Sequence, residues 1–259
     1  MCLNIISVER KINNGTTNPF LVKCDDNIEY VAKFPGNPEG IKVLINEYVC
    51  ASLAKKLKLP IPDFEIAQID NIDSYSILKP YILPINGSVF CSRNMEKVGQ
   101  VPSYRMLQKV SNRDDILKIF IFDVIIGNND RNPGNMLINF KNNSLVMIDH
   151  SHVFINEAIW DEYSLNGLVN NKIVVDDMNK FFFDMFSCEI SNANISIVNE
   201  FINDVKNLSY YDVKKIIDSI PNDWKITINE KKALIDFIYN RITRVEEICK
   251  ILGIERGNV

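Results

Sequence analysis

The stretch that decides the interpretation of this chain of 259 residues lies near its centre and ends in an aspartate. It begins with Gly127-Asn128-Asn129-Asp130-Arg131-Asn132-Pro133-Gly134-Asn135-Met136-Leu137 and closes with Val146-Met147-Ile148-Asp149. Within it, short apolar runs at residues 136–140 and 144–148 flank a polar turn at residues 141–143, which predicts a β-hairpin. The polar loop precedes the first strand and Asp149 follows the second, so both lie at the same end of the hairpin.

The position of the turn predicts a register for the hairpin. If the turn is centred on Asn142, Asn135 lies directly opposite Asp149. Opposed residues of an antiparallel pair have Cα atoms about 4.5–5.5 Å apart. An amide oxygen and a carboxylate at that distance can hold one magnesium ion, which requires close oxygen ligands. Asp130, in the preceding loop, can then reach a hydroxyl group of an acceptor.

The spacing of these three residues is that of a kinase active site. Asp130 and Asn135 have the spacing of the D-x-x-x-x-N catalytic loop, and Asp149 lies where kinases carry a metal-binding aspartate. The alternative is an ordinary polar turn, since Asn, Asp, Pro and Gly are the usual turn residues. A plain turn does not explain why Asp149 ends a strand in register with Asn135. We therefore favour phosphoryl transfer, which depends on positioning and charge neutralisation.

The first third of the sequence predicts strands around one helix. Apolar-rich runs bounded by turn residues predict strands at residues 20–24, 28–34, 64–68 and 75–82. Apolar residues every four positions predict a helix over about 42–58. A connector marked by proline follows at residues 79–84.

From about residue 86 the pattern becomes helical, apart from the central hairpin. A helix that is apolar nearly all round is predicted at residues 116–126, with Asp114 or Asp115 as its cap. Amphipathic stretches follow near residues 157–170, 176–187, 195–206, 210–219 and 229–252.

A second pair of candidate functional residues is Lys33, at the end of a strand, and Glu47, on the following helix. A lysine with apolar neighbours needs a partner, and small residues on the side of the helix that carries Glu47 allow close packing against the sheet. Alone, such a pair is usually a solvated surface pair. Beside the downstream Asp-Asn-Asp pattern, it resembles the kinase lysine and its helix glutamate.

The composition favours a cytoplasmic protein without a membrane segment. A net charge of −4 gives no general basic excess, which disfavours direct nucleic-acid binding. The longest apolar run, residues 116–126, is interrupted by charges and is far shorter than the roughly 20 residues of a membrane span. Six cysteines at long, irregular spacings predict reduced, structural thiols. The N-terminal residues show no signal-peptide pattern.

Two further features bear on the site. The loop 13–19 precedes the first hairpin, and Gly15, Thr16 and Thr17 are candidate phosphate contacts, although the loop has neither a GxGxxG nor a Walker motif and a simple flexible loop is an equal alternative. His150 and His152 follow Asp149. With neither a third histidine nor a nearby cysteine, we expect hydrogen bonds near Asp149 rather than a closed zinc site.

Taken together, these segments resemble the short HipA-like kinases over about residues 10–250. The resemblance is carried by Tyr30-Val31-Ala32-Lys33-Phe34, Gly36-Asn37-Pro38-Glu39-Gly40, Leu59-Pro60-Ile61-Pro62, the central loop with Ile148-Asp149-His150, and Ile220-Pro221-Asn222-Asp223-Trp224. It implies an α+β, protein-kinase-like, two-lobed fold. Residues 1–82 would form the nucleotide-binding lobe and residues 83–259 the mainly helical catalytic lobe.

The resemblance also implies roles for the candidate residues, with ATP and Mg²⁺ as cofactors. Asp130 would be the catalytic base, and Asn135 and Asp149 would bind magnesium. Lys33 would contact phosphate and Glu47 would orient it. A hinge that meets adenine would comprise residues 79–82, in particular Lys79, Tyr81 and Ile82.

The activity implied is transfer of the γ-phosphoryl group of ATP to a hydroxyl, which we expect on Ser or Thr of a protein substrate. HipA proteins proper are often toxins paired with a small DNA-binding antitoxin. They carry an extra N-terminal module and a histidine where this chain has Asn132, and these departures bear on the toxin role and the antitoxin partner more than on phosphoryl transfer. The alternatives are a phosphatidylinositol-type lipid kinase or small-molecule kinase, and a non-catalytic nucleotide-binding module.

Overall fold

A computed structural model describes residues 3–13, 15–69, 75–101, 104–107, 110–155, 158–186 and 195–254. Five strands in these residues form a closed barrel in the order β1-β2-β3-β5-β4. They are β1 (Leu3–Lys11), β2 (Phe20–Cys24), β3 (Glu29–Lys33), β4 (Phe64–Ile69) and β5 (Val89–Arg93). Neighbours are antiparallel except β1 and β4, which pair in parallel.

The barrel interior is apolar because alternate residues of each strand point inward. Along β2, Phe20, Val22 and Cys24 are completely buried in the barrel core. The predicted hairpin of residues 20–34 and the predicted strand at residues 64–68 are confirmed. β1 was not predicted, because its residues mix polar and apolar side chains.

Helix α1 (Lys42–Lys56) packs outside the barrel against the rest of the chain, and its prediction is confirmed. The strand predicted at residues 75–82 is wrong: this segment contains a short helix, α2 (Tyr75–Leu78), followed by a turn. Leu78, Ile82 and Ile85 belong to the barrel core. Leu78 and Ile82 are four residues apart, which is a helical rather than a strand spacing.

The expectation that the chain becomes helical near residue 86 is also wrong. β5 completes the barrel, and β6 (Val98–Gln100) then begins a second sheet of order β6-β7-β8, with β7 (Met136–Asn139) and β8 (Ser144–Met147). The chain thus passes from the barrel to the second sheet at residues 94–97. The predicted connector at residues 79–84 lies before the last strand of the barrel instead.

The central hairpin is confirmed, but its predicted register is wrong by one residue. Met136 pairs with Met147 and Asn139 pairs with Ser144, so the loop has four residues rather than three. Asn143 ends this loop with a φ of 56°. As a result Asn135 lies opposite Ile148 rather than Asp149, and the Ile148 N–H donates to the Asn135 carbonyl at 3.0 Å.

The helices surround α4 (Asp115–Ile126), which is buried on nearly every side, as predicted. Asp114 occupies its N-cap position but makes no capping hydrogen bond through its side chain. The other α-helices of the described residues are α3 (Tyr104–Leu107), α5 (Glu162–Val169), α6 (Asp177–Met185), α7 (Ile195–Lys206), α8 (Tyr210–Asp218), α9 (Ile228–Thr243) and α10 (Val245–Ile251). The single stretch predicted near residues 229–252 is thus two helices.

Two further findings concern the cysteines and the length of the apolar helices. Within the described residues, Cys24, Cys50, Cys91 and Cys249 are buried thiols that form no disulfide, while Cys2 and Cys188 lie outside them. None of the described helices has the length and apolar character needed to cross a bilayer.

Candidate active site

Lys33 is the centre of a buried polar cluster between the barrel and the second sheet. Its Nζ donates to Glu47 Oε1 at 2.5 Å, to Asp149 Oδ1 at 2.9 Å and to Ser151 Oγ at 2.7 Å. β3 supplies the lysine, α1 supplies Glu47, and the segment after β8 supplies the other two. The structure therefore brings together three residues that the sequence analysis had singled out: Lys33, Glu47 and Asp149.

The electrostatics of this cluster favour a charged lysine. Burial alone would lower the pKa of Lys33, but the Asp149 and Glu47 carboxylates raise it above its usual range. Burial likewise opposes ionisation of Asp149, yet the Lys33 charge and the Ser151 hydroxyl hold the pKa of Asp149 below its usual range. For Glu47, the effect of burial outweighs the attraction of the Lys33 charge, so the pKa of Glu47 is raised. Both carboxylates thus share one buried ammonium group.

Ser151 was not singled out from the sequence. Its hydroxyl donates to Asp149 Oδ1 at 2.5 Å, and its N–H donates to the same oxygen at 3.2 Å. Asp149 itself has a left-handed backbone with φ of 56°, a conformation that is uncommon outside glycine and found more often for aspartate than for most residues. A serine two residues after an aspartate is too frequent a pattern to indicate this role.

The catalytic-loop candidate Asp130 lies just beyond α4, whose C-cap, Gly127, has φ of 60°. Asn132 Nδ2 donates to Asp130 Oδ1 at 2.9 Å, and Asn135 Nδ2 donates to Asp130 Oδ2 at 3.1 Å. Asn132 also accepts the Gly134 N–H at 2.8 Å, which holds the turn before β7. The predicted five-residue spacing therefore places the Asn135 amide directly against the Asp130 carboxylate.

A fully buried ion pair between Arg131 and Asp123 stabilises this loop. Arg131 Nε and Nη2 donate to the two carboxylate oxygens of Asp123 at 2.8 and 2.9 Å. Arg131 Nη1 donates to the carbonyls of Asn135, at 2.7 Å, and Ile148, at 3.2 Å. Burial alone would lower the pKa of Arg131, but Asp123 raises it. The pair ties α4 to both strands of the hairpin at their open end.

The sequence contains a signal for this pair. Asp123 is an acid inside an otherwise apolar helix, and such a group needs a charged or hydrogen-bonded partner. Asn179 of α6 extends the network, because its side chain accepts the Arg131 N–H at 2.9 Å and donates to the Asn128 carbonyl at 2.7 Å. Nothing in the sequence pattern of α6 indicates that contact.

The two histidines occupy different surroundings. His150 is buried, and its Nε2 lies 3.3 Å from Arg131 Nη2. Burial and the nearby Arg131 charge lower the pKa of His150 to about 3, so it is neutral. His152 is partly exposed and lies 3.0 Å from Glu39 Oε2.

The remaining candidates lie around the loop between β1 and β2. Gly15 and Thr16 are exposed and Thr17 is buried, whereas Asn14 lies outside the described residues. Asn18 Nδ2 donates to the Tyr81 carbonyl at 3.4 Å, so Tyr81 lies beside this loop. Lys79 is exposed, and Ile82 is completely buried in the barrel core.

The donor set near Asp149 is suited to a hard cation. Among the described residues, there is no group of three or more His, Cys, Asp or Glu side chains that could hold a metal by themselves. Magnesium usually binds through one or two protein oxygens and completes its shell with substrate phosphates and water. By donor type, the Asp149 carboxylate, which follows β8, and the Asn135 amide oxygen, which precedes β7, match that requirement.

Solved structures show the fold to which this site belongs. The chain is similar to the proinflammatory kinase CtkA of Helicobacter pylori, with 15% identity, 98% of each chain covered and a TM-score of 0.59. It is also similar to HipA of Shewanella oneidensis MR-1, with 12% identity, a TM-score of 0.50, and 95% of this chain and 68% of that one covered. These structures show that the chain has an α+β, kinase-like fold.

The sequence as a whole assigns the family. The model of the HipA-like kinase family matches residues 5–250. The chain therefore belongs to the HipA-like kinase family, as the residue patterns predicted. Among curated protein sequences, none matches the chain.

Proposed function

We propose that this protein is an ATP- and magnesium-dependent kinase that phosphorylates Ser or Thr of a protein substrate in the cytoplasm. The observation that carries the proposal is the contact of Lys33 with both Glu47 and Asp149, beside a loop in which Asn135 contacts Asp130. A lysine held by a helix glutamate, a metal-binding aspartate and a base–asparagine pair are the recurring parts of a kinase active site.

Each group in the proposal has a chemical role. Lys33 neutralises charge on the α/β-phosphates, and Glu47 keeps its ammonium in place. Asp149 Oδ1 already receives Lys33 and Ser151, so we assign Oδ2, with the Asn135 amide oxygen, to the cation. Bound there, Mg²⁺ would neutralise the charge of the phosphates during transfer. Asp130 accepts the proton of the attacking hydroxyl.

The nucleotide would lie between the barrel and the helical part, which we propose to be the two lobes. Because β5 (Val89–Arg93) belongs to the barrel, we place the boundary between the lobes at residues 94–97 instead of between residues 82 and 83. Leu21 and Val31 are register partners on neighbouring strands, and Val31 precedes Lys33 by two residues, on the same face of β3. We propose that this face covers the base of ATP. Gly15, Thr16 and Thr17 remain proposed phosphate contacts, and Lys79 and Tyr81 remain proposed nucleotide contacts at the neighbouring turn. The side chain of Ile82 is completely buried in the barrel core, so Ile82 would contribute only through its backbone.

A small DNA-binding protein is the partner we propose. The support is that HipA of Shewanella oneidensis was solved in a complex with HipB and operator DNA. Co-expression of this chain with small proteins encoded beside it, followed by co-purification, tests the proposal.

Substitution of Asp130 is the direct test of the proposed function. The purified chain is incubated with γ-labelled ATP, Mg²⁺ and protein acceptors, and transfer is measured beside binding of Mg-ATP. We expect Asp130→Ala to lose turnover by about 100-fold or more, because a positioned base contributes roughly 10²–10⁴-fold, while nucleotide binding is retained. Asp218→Ala, which changes an exposed acid on α8, is the matched control. Wild-type turnover in Asp130→Ala would exclude the assignment, and labelling of lipid instead of protein would redirect it.

A further inference from the structure

His152 lies between two carboxyl groups that come from different parts of the fold. Its Nε2 is 3.0 Å from Glu39 Oε2, and its Nδ1 is 3.8 Å from Asp130 Oδ2. Glu39 belongs to the segment between β3 and α1, whereas Asp130 belongs to the loop after α4. One imidazole therefore connects the barrel side of the site to the proposed base.

The Glu39 end of this connection is fixed by a buried asparagine. The Asn37 side chain accepts the Glu39 N–H at 3.0 Å and donates to the carbonyls of Phe34 and Gly40, both at 2.9 Å. Asn37 is only 5% exposed. These three hydrogen bonds hold the backbone of the short loop that carries Glu39, so the position of Glu39 is fixed.

The backbone of His152 is fixed to the catalytic loop as well. The Asn129 N–H donates to the His152 carbonyl at 3.2 Å, and the Ile155 N–H donates to the Gly127 carbonyl at 3.0 Å. The segment carrying the histidine therefore lies against the residues that immediately precede Asp130. Both neighbours of the imidazole are held by contacts independent of the imidazole itself.

We propose that His152 is a positioning residue for the base: Glu39 orients the imidazole, and the imidazole restrains the Asp130 carboxylate. This inference rests on the proposed function and deepens it. In the doubly protonated ring, Nε2–H donates to Glu39 and Nδ1–H faces Asp130 Oδ2, so each carboxylate meets an N–H donor. The present 3.8 Å is longer than a hydrogen bond, and catalytic hydrogen bonds often tighten only in the complex with substrate.

The kinetic test separates positioning from nucleotide binding. We expect His152→Ala to lower kcat by about 10- to 100-fold, the scale of a small misplacement of a catalytic group, with KM for ATP changed by less than about twofold. Glu39→Ala should lower kcat in the same direction but less, and Glu39→Gln, which still accepts from Nε2–H, should lower it least. Added imidazole should restore part of kcat in His152→Ala and none in Asp130→Ala.

A double-mutant cycle tests whether Glu39 acts through His152. If it does, the Glu39→Ala/His152→Ala double variant should be no slower than His152→Ala alone, since linked residues are not additive. Glu65→Ala, an exposed acid on β4, is the control. Wild-type kcat in His152→Ala, losses that multiply in the double variant, or a rise in KM for ATP without a fall in kcat would each overturn the proposal.

A readout that needs no turnover distinguishes this proposal from the proposed function. The chain has two histidines, so the imidazole ring signals are readily assigned by nuclear magnetic resonance. In the protein without nucleotide, Glu39→Ala and Asp130→Asn should each shift the His152 ring signals, and Glu65→Ala should not. Unshifted signals would refute the connection. Shifted signals in a wild-type protein that transfers no phosphoryl group would refute the proposed function and leave the connection intact.

Discussion

At the scale of single residues, Lys33 satisfies three oxygen acceptors at once. Glu47, one of its partners, is only 4% exposed, so its carboxylate depends on this lysine for compensation. Removal of one partner from a buried ion pair typically costs about 3–5 kcal/mol, because the other charge is left unpaired. Asp149 is partly exposed and loses less, since water can replace part of the interaction.

We therefore predict that Lys33→Met lowers the free energy of unfolding by about 3 kcal/mol and also weakens Mg-ATP binding. Urea denaturation monitored by circular dichroism measures the first effect, and calorimetric titration with Mg-ATP measures the second. Lys180→Met, which changes an exposed lysine on α6, is the control and should be neutral. A Lys33→Met protein as stable as wild type would show that water solvates the Glu47 and Asp149 carboxylates, and that their ion pairs with Lys33 do not contribute to stability.

His150 makes the stability of the protein depend on pH. The pKa of His150 is about 3 in the fold, compared with about 6.5 in an unfolded chain. The unfolded state thus binds an extra proton as the pH falls below about 6.5. The contribution of His150 to stability is complete above that pH and is lost progressively down to the folded value.

We predict that His150→Gln reduces the slope of unfolding free energy against pH between about pH 6 and pH 4. The slope should fall by up to about 1.4 kcal/mol per pH unit, which corresponds to one proton. Urea denaturation at a series of pH values measures it. Parallel curves for the variant and the wild type would contradict the burial of a neutral imidazole.

The sequence predicted residues that follow a spacing rule and missed those that do not. Asp130, Asn135 and Asp149 were recognisable because a loop and a hairpin relate them over short distances in the chain. Ser151 and the pair Asp123–Arg131 act through contacts between separate elements. Asp123, an acid within an apolar helix, is a signal that could have indicated a buried partner, but nothing in the sequence identifies Arg131 as that partner.

At the scale of elements, Asn46 joins helix α1 to the segment after β8. Its Nδ2 donates to the Ser151 carbonyl at 2.6 Å, and its Oδ1 accepts the Trp160 indole N–H at 2.8 Å. Asn46 is completely buried. Because α1 carries Glu47, this contact sets the distance between the helix and the candidate active site.

We predict that Asn46→Leu lowers the free energy of unfolding by about 2–6 kcal/mol, since two buried polar groups lose their partner at about 1–3 kcal/mol each. Phosphoryl transfer should fall as well, because α1 moves. Thermal and urea unfolding measure the first effect. Tyr48→Phe, which removes an exposed hydroxyl from the same helix, is the control. Equal stability of the two variants would contradict the argument.

The elements themselves were predictable where the apolar pattern was clear. α1 has apolar residues every four positions, α4 is apolar nearly all round, and β2 and β3 are apolar-rich runs around a polar turn; all three predictions are confirmed. The segment at residues 75–82 was misjudged because its apolar residues close the end of the barrel, which is a tertiary role. The register of the central hairpin depended on one loop residue, and the left-handed Asn143 was not visible in the sequence.

At the scale of the whole molecule, the barrel is attached to the helical part at Ser88. Asp223 accepts the Ser88 N–H at 2.6 Å and its hydroxyl at 2.9 Å, and the Trp224 indole donates to the Ser88 carbonyl at 2.8 Å. Gly87, beside it, has φ of 113°, and a Cβ there would lie 2.9 Å from an Asp223 oxygen. This attachment joins positions far apart in the chain, which explains why the sequence did not indicate it.

We predict that Asp223→Ala lowers the free energy of unfolding by about 1–2 kcal/mol, the loss of two hydrogen bonds at roughly 0.5–1.5 kcal/mol each. Gly87→Ala should also be destabilising, because its backbone conformation and the Asp223 contact both oppose a side chain. Limited proteolysis and thermal unfolding measure both effects. Asp218→Ala, which removes an exposed pair with Lys214, is the control. Resistance of Asp223→Ala to protease at the wild-type level would show that the attachment does not restrain the barrel.

The two tryptophans of the chain both contact residues of α1. The Trp160 indole bonds to Asn46 on that helix, and the Trp224 ring packs edge-on against Tyr48, 6.0 Å away, on the same helix. Both indoles are shielded from water, at 0% and 1% exposure. Movement of α1 away from these contacts would expose the indoles to water, which would shift the intrinsic fluorescence emission to longer wavelength and lower its intensity. Opening of the structure around α1 can therefore be followed by tryptophan fluorescence without an attached dye.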